Sequence, residues 1–393
     1  MKKANMLKTA AVFMAAAFLF TLAVVGGVSA PDNADPPQTN SDTSEYRAVW
    51  FSYTDLQQML VGKTQAQFIL AVDSAFSHCK NLGLNRAVVQ VRPFSDALYF
   101  SNIFPSSRYA VGTQGAAMDY DPLAIICQRA KIYGLAIEAW VNPYRISIGE
   151  STAPCDSNPC TKWEGTDNVV SYGGGLYYNP AKKQVQQLIL DGVEEILKKY
   201  PVDGIHFDDY FYPSGIGADF DSQAYAETGA GQSLSAWRTQ NVNTLVRRVY
   251  TLCHKYGKTF TLSPQGNVQN CYGLYADVKL WGSEAGYCDY LVPQLYWGYD
   301  HPLASARYDA KIKEWSEIVS SPNVKLIVGL GAYRIGQTDH GYRTEGNDMA
   351  AQVADARNAG AHGFCLFRYG SLCDSAAEQE MQTLKDLLQN GGI

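Results

Sequence analysis

The sequence predicts an α/β fold, a (β/α)8 TIM-type barrel, on three observations. Eight short β-rich runs recur from Arg47 onward, amphipathic helical stretches separate them, and several of those helices stop at a glycine before the next run. Parallel strands need crossover connections, so regular strand–helix alternation means a parallel sheet. Eight such units in about 345 residues fit a closed barrel with a few long loops. An open doubly wound sheet is the structural alternative. Against it, no GxGxxG follows the first run, and GLGAYRIG at 329–336 is a strand exit rather than a phosphate cradle.

The strand runs are RAVWFSY from Arg47, RAVVQVR from Arg86, AIEAWVN from Ala136 and GIHFDDY from Gly204. Four more follow: TFTLSP from Thr259, YLVPQLYW from Tyr290, KLIVGLGAY from Lys325 and GFCLFRY from Gly363. Between them, VQQLILDGVEEILKKY from Val185 repeats apolar residues at helical spacing, i, i+3, i+4 and i+7. Further helical patterns start at Ser233 and Ala376. Gly83, Gly134, Gly257 and Gly360 stand where helices should end.

Ahead of the barrel, Lys2, Lys3 and Lys8 precede an uncharged run from Thr9 to Ala30, followed by PDNADPPQTNSDTS. This is the pattern of a targeting segment and a disordered tether. The expected boundaries are therefore 1–30 for a signal peptide or signal anchor, 31–44 for a linker and 45–393 for the barrel. Export is expected, to the extracellular space or the cell surface. Pro31 after the VSA site opposes cleavage, and about 20 apolar residues suffice to stay in a membrane, so anchoring and release both remain open.

A net charge of −6 argues against a nucleic-acid partner, which would need clustered Lys and Arg. The excess is in rings, with 26 Tyr and 7 Trp. Aromatic faces stack on the C–H faces of sugars, although tyrosines covering a large barrel would read the same way. Nine cysteines is an odd count for an exported chain. Cys155 and Cys160 flank a DSNP turn and could close a small disulfide. Cys79, Cys127, Cys253 and Cys365 read as buried thiols. No CxxC pair suggests zinc, and of six histidines only His206 stands at a strand exit, so neither a metal nor a cofactor is expected.

Barrel active sites gather at the C-terminal ends of the strands, so those residues carry the functional information. The second strand leads to Gln90, Arg92 and Asp96. The third leads to Trp140, Asn142, Tyr144 and Arg145, and the fourth to His206, Asp208, Asp209, Tyr210 and Tyr212. Later exits offer Ser263, Gln265, Gln294, Tyr296, Trp297, Tyr333, Arg334 and Arg368. Glycoside hydrolysis needs one carboxyl to protonate the leaving oxygen and another as nucleophile or base. Asp208 and Asp209 are the expected pair, with His206 holding Asp208 ionised and Asp209 the raised-pKa acid. An Asp-Asp pair could equally cap a helix or bind an arginine. Asp96 is a candidate partner at the rim, whereas Glu138 lies four residues deeper than Asn142 and reads as a buried structural carboxylate. Asn142 and Gln294 are expected to bond sugar hydroxyls, and Trp140, Tyr296 and Trp297 to stack. Arg92 and Arg145 either read a substrate carboxylate or brace the aspartates.

The blocks RAVWFSY, VVQVRPFSDALY, YDPLAIICQRAKIYGLAIEAWVNPYR, GGGLYYNPA, DGIHFDDYFYP, SLSAWRTQNVN, LYADVKLW and VPQLYW span almost the whole chain after the tether. Through them it resembles the glycosyl-hydrolase-like family 10 barrels of bacterial envelopes. The resemblance implies a TIM-type barrel, glycosidase chemistry and peptidoglycan glycan strands as substrate class. On matching positions it points to Asp208 and Asp209, with Arg92, Asn142, Tyr144 and Arg145 lining the cleft. Glu138 and Gln265 depart from the family's usual His and Phe, and the 150–166 segment is particular to this chain. The expectation is an endo-acting glycoside hydrolase on cell-envelope polysaccharide. A non-catalytic carbohydrate-binding barrel is the alternative, and a metal-dependent esterase using His206, Asp208 and Asp209 a weaker third.

Overall fold

The computed structural model describes residues 44–344 and 346–389, so the expected targeting segment and nearly all of the tether lie outside the described residues. Eight strand positions follow one another: Tyr46–Phe51, Arg86–Arg92, Ala136–Val141, Gly204–Phe207, Thr259–Leu262, Tyr290–Leu291 with Gln294–Leu295, Lys325–Leu326 with Val328–Leu330, and Gly363–Leu366. We number them β1 to β8, counting the two segments of the sixth and of the seventh as one strand each.

All neighbours are parallel, from β1–β2 through β7–β8, and β8 pairs back onto β1 with Tyr46 opposite Gly363. β6 and β7 meet twice, Tyr290 with Lys325 and, past the break, Gln294 with Gly329. The ring is closed, as the alternation predicts. β6 breaks at Pro293, which has no N–H to give the ladder, while its carbonyl still accepts from the Gly329 amide at 2.9 Å.

A principal helix follows each strand: Gln65–Asn81, Pro122–Tyr133, Lys183–Lys199, Leu234–Lys255, Val278–Ser283, Tyr308–Ile318, Asp348–Asn358 and Glu378–Gln389. Their ends are written locally. Asp121 caps the second through the Ala124 amide, Pro122 opens its first turn, and Gly134 closes it at φ +62°. Lys183–Lys199 buries Val185, Ile189, Val193 and Ile196 along one face, each contributing roughly 1.5–3 kcal/mol by burial. A charge at Val193, fully covered, would break that face. Among the described residues no helix is long and apolar enough to cross a membrane.

Alternation along β1 sends Val49 and Phe51 outward to the helix layer and Ala48 and Trp50 into the barrel. The interior core is Tyr46, Ala48, Trp50, Val88, Trp140, Val292, Ile327 and Cys365. Beneath it lies a polar base, where Glu138 accepts from Tyr46 Oη at 3.1 Å and Arg86 Nη1 at 3.3 Å. Glu138 is thus the structural carboxylate its depth suggests.

One element has no counterpart in the sequence reading. The long loop after β3 folds into an antiparallel three-stranded sheet of Arg145–Ser147, Gly175–Tyr178 and Val169–Tyr172. Its tight turn is Gly173–Gly174, at φ +57° and +81°, the doubly left-handed geometry a two-residue hairpin needs. Cys155 and Cys160 in the same loop are not joined; all nine cysteines are free thiols. Cys155 Sγ instead lies 3.2 Å from Ser157 Oγ, and Cys160 is buried.

Candidate active site

A cleft of about 270 Å³ opens at the C-terminal end of the barrel, lined by Trp50, Gln90, Trp140, Asp208, Asp209, Ser263, Gln294, Phe367 and Arg368 from the strand exits, with Ser52–Thr54, Arg145, Tyr210 and Tyr296 around them. A second lobe of about 240 Å³ lies beside it, walled by Gln265, Asn267, Asn270, Trp297, Tyr333, Arg334 and His340. Asp209, Gln294 and Tyr296 line both. The two lobes therefore meet at Asp209.

Asp208 is nearly covered, with 3% of its surface exposed. Its Oδ2 accepts from Trp140 Nε1 at 3.0 Å and Asn142 Nδ2 at 2.5 Å, and its Oδ1 from the Tyr210 amide at 3.1 Å. Asn142 is itself held by Gln90 Nε2 at 2.6 Å. Asp209 turns the other way and is partly exposed. Its Oδ2 accepts from Gln265 Nε2 at 3.0 Å and its Oδ1 from Gln294 Nε2 at 3.1 Å.

Arg145 balances the pair from one side. Its guanidinium is packed between the Phe94 ring at 4.4 Å and the Tyr210 ring at 4.3 Å, and its Nε donates to the Pro93 carbonyl at 3.3 Å. Its charge lowers both carboxyls without winning. Burial first, then the neighbouring Asp209 charge, pushes Asp208 from 3.8 up to about 7. Burial also raises Asp209, against the two glutamine bonds. Two adjacent carboxyls resist ionising together, so the pair titrates as a unit, above the ordinary carboxylate range.

The structure brings Trp140, Asn142, Arg145, Tyr210, Gln294 and Tyr296 to this pair, and Trp297 to the second lobe. Four expected site residues lie elsewhere. Arg92 is buried against Phe104, its guanidinium 4.5 Å from that ring. A β-bulge puts Val91 and Arg92 opposite Val141, and the extra residue turns Arg92 from the cleft to the helix layer. Asp96 is fully buried, accepting from the Phe94 amide at 3.1 Å and Gln114 Nε2 at 3.2 Å, and so organises its own loop. Tyr144 is packed in the outer core, where its hydroxyl is buried without a partner.

His206 has the expected inward face but sits below the site. Its Nε2 accepts from Trp50 Nε1 at 3.2 Å, and its Nδ1 lies 3.4 Å from Glu138 Oε2. An indole nitrogen only donates, so the imidazole proton is on Nδ1, toward Glu138. Burial lowers His206. It is therefore a neutral brace under the cleft and does not hold Asp208 ionised; Asp208 is raised instead. Nor do His206, Asp208 and Asp209 converge as ligands, and among the described residues no three His, Cys, Asp or Glu side chains do.

Several lining residues escaped the sequence reading. Ser52, Tyr53 and Thr54 follow β1 directly and were readable as a strand exit; Tyr53 N donates to Gln90 Oε1 at 2.9 Å. Asn267, Asn270 and His340 stand on loops and short helices whose sequence carries no period.

A parallel eight-stranded ring with a cleft at the C-terminal ends of its strands is the TIM-type barrel, an architecture that glycoside hydrolases share. The chain belongs to the family described as Glycosyl hydrolase-like 10, whose model matches residues 45–344. It is 33% identical over 320 residues to Glycosyl hydrolase YngK of Bacillus subtilis, a match covering 74% of this chain and 61% of that relative's length. It is 29% identical over 347 residues to Glycosyl hydrolase DigH of Escherichia coli K12, covering 79% of this chain and 78% of the relative. Among solved structures, the glycoside hydrolase domain of PgaB from Bordetella bronchiseptica superposes with a TM-score of 0.59 at 12% identity, covering 88% of this chain and 99% of that one. The catalytic domain of a Paenibacillus polymyxa beta-amylase gives 0.58 at 11% identity, covering 87% and 96%. At such identities these two speak for the fold alone.

Proposed function

We propose that the chain is an endo-acting glycoside hydrolase that cuts peptidoglycan glycan strands or a related cell-envelope polysaccharide, with Asp208 and Asp209 as its catalytic carboxyls. The observation carrying this reading is the junction of two lobes at Asp209. A sugar chain laid through both places an internal glycosidic bond over that residue, where a proton can be delivered to the leaving oxygen. Asp209 is accordingly the acid. Asp208, fixed by Trp140 and Asn142, is the carboxylate that answers positive charge developing at the anomeric carbon. The partly exposed rings of Tyr210, Tyr296 and Trp297 support a carbohydrate ligand, and the family resemblance supports the envelope substrate. The Thr9–Ala30 run supports action outside the cytoplasm, as an anchored or a released protein.

The test is incubation with defined peptidoglycan glycans, with and without stem peptides, followed by mass analysis of the products. Internal fragments with new reducing ends are expected. Oligosaccharide binding without any new reducing end would replace this reading with that of a carbohydrate-binding barrel.

A further inference from the structure

We infer that the nucleophile is the substrate's own 2-acetamido group, seated by Asp208 in the recess of Trp50, Trp140, Tyr296 and Phe367, so that only an N-acetylated sugar is cleaved. This rests on the glycosidase reading above and adds a substrate requirement to it.

A nucleophile and an acid must flank the scissile bond, with carboxyls about 5–5.5 Å apart for retention, or about 6.5–9.5 Å apart with an intervening water for inversion. Among the described residues, Asp208 and Asp209 are the only carboxylates lining the cleft. They are chain neighbours, and both approach from the exit of β4. Across the ring, β8 contributes Phe367 and Arg368. The nearby Asp55 is engaged by Arg368 and by the Gly370 amide at 3.0 Å. Among the described residues no carboxylate faces the pair, so the second group is left for the substrate to supply, as a 2-acetamido oxygen can.

Trp50 and Trp140 are only 1% and 6% exposed, too deep to offer a face to a pyranose ring. Phe367 closes over them, 5.8 Å from Trp50 and 5.6 Å from Tyr296 between ring centroids. What fits such a floor is a small apolar tip carried next to a polar group, which describes an acetyl methyl beside an amide.

Asp208 keeps one accepting position free. A carboxylate offers about four lone-pair positions. Trp140 and Asn142 take two on Oδ2, and the Tyr210 amide takes one on Oδ1. The remaining Oδ1 position can accept the amide N–H. Held by three donors, Asp208 cannot swing to attack the anomeric carbon, but it can aim the acetamido group that does. The arriving N–H favours ionised Asp208, so the proton for the leaving oxygen rests with Asp209, whose carboxyl burial raises.

The steps balance. The acetamido carbonyl oxygen attacks C1 as the C1–O glycosidic bond breaks, and its electron pair leaves with the departing oxygen, which takes the Asp209 proton. The resulting oxazolinium is stabilised by Asp208 through its N–H. Water then adds to C1 and gives a proton to Asp209, while the C1–O bond to the acetamido oxygen breaks and restores the amide. The product retains its anomeric configuration.

The experiment compares one glycan before and after chemical N-deacetylation, and adds the thiazoline analogue of N-acetylglucosamine as a probe of the wild-type site. Expected are cleavage of the acetylated glycan with retention by NMR, at least a ~10³-fold slower reaction after deacetylation, and competitive inhibition by the thiazoline with Ki at least ~10-fold below KM. Equal cleavage of both glycans, or inversion, would overturn the inference while leaving the glycosidase intact. Cleavage of neither would remove the glycosidase reading and this inference with it.

Discussion

Asn142 donates to Asp208 at 2.5 Å while accepting from Gln90 at 2.6 Å. Because Gln90 holds its carbonyl end, the amide end of Asn142 always faces the carboxylate. Asn142→Ala removes a donor that favours ionised Asp208, so that carboxyl's titration moves further up. We expect kcat to fall about 10- to 100-fold and the acidic limb of the pH–rate profile to shift to higher pH. A loss of kcat with an unmoved profile would show that Asn142 acts otherwise.

The raised Asp208 carries a signature in stability. Between 3.8 and about 7 the folded protein keeps a proton that the unfolded chain has released. Stability therefore falls as pH rises through that window. Asp208→Asn removes the ionisation, so its Tm should exceed wild type above about pH 7, with the gap closing toward pH 4. Thermal melts across that range check it, and a gap that widens at low pH would contradict the sign.

Asp209→Asn should lower kcat on natural glycan by about 10²- to 10⁴-fold, the usual worth of a positioned acid. The loss should largely vanish on an aryl glycoside whose phenolate needs no protonation. Equal loss on both substrates would show that Asp209 is not the acid.

Glu138 and Arg86 form a buried pair with side chains 0% and 10% exposed. For Glu138, burial alone would raise its pKa, but the His206 bond and the Arg86 charge together hold it below the ordinary range. Glu138→Gln leaves Arg86 uncompensated and should destabilise the fold by about 3–5 kcal/mol. Denaturant unfolding measures this, and KM of the folded fraction should be unchanged.

Trp297 lines only the second lobe. Trp297→Ala should raise KM about 3- to 10-fold for glycans long enough to fill both lobes, consistent with a stacking contribution of about 1 kcal/mol. Short substrates confined to the first lobe should be unaffected. A uniform effect at every chain length would place the ring elsewhere in the reaction.

The barrel was readable because its strands are short β-rich runs and their partners long amphipathic helices. Arg86–Arg92 coincides with RAVVQVR. The rim was readable to the extent that alternation holds, which is why Trp140, Asp208 and Gln294 stand where parity places them. It failed at Arg92, because the bulge at Val91 adds a residue to β2 that no residue type there announces. For His206 the face was right and the depth wrong, since its two-residue offset from Asp208 puts it one layer down. The Asn267–His340 lobe has no periodic pattern to read, being assembled by loop closure between distant segments.

The Trp50–His206 bond also separates two proton economies. An indole hydrogen is not exchanged onto its neighbour at any ordinary pH, so the line running Arg86, Glu138, His206, Trp50 ends as an insulator beneath the cleft. The charges at the barrel's foot can anchor the strands without draining or feeding the protons of Asp208 and Asp209.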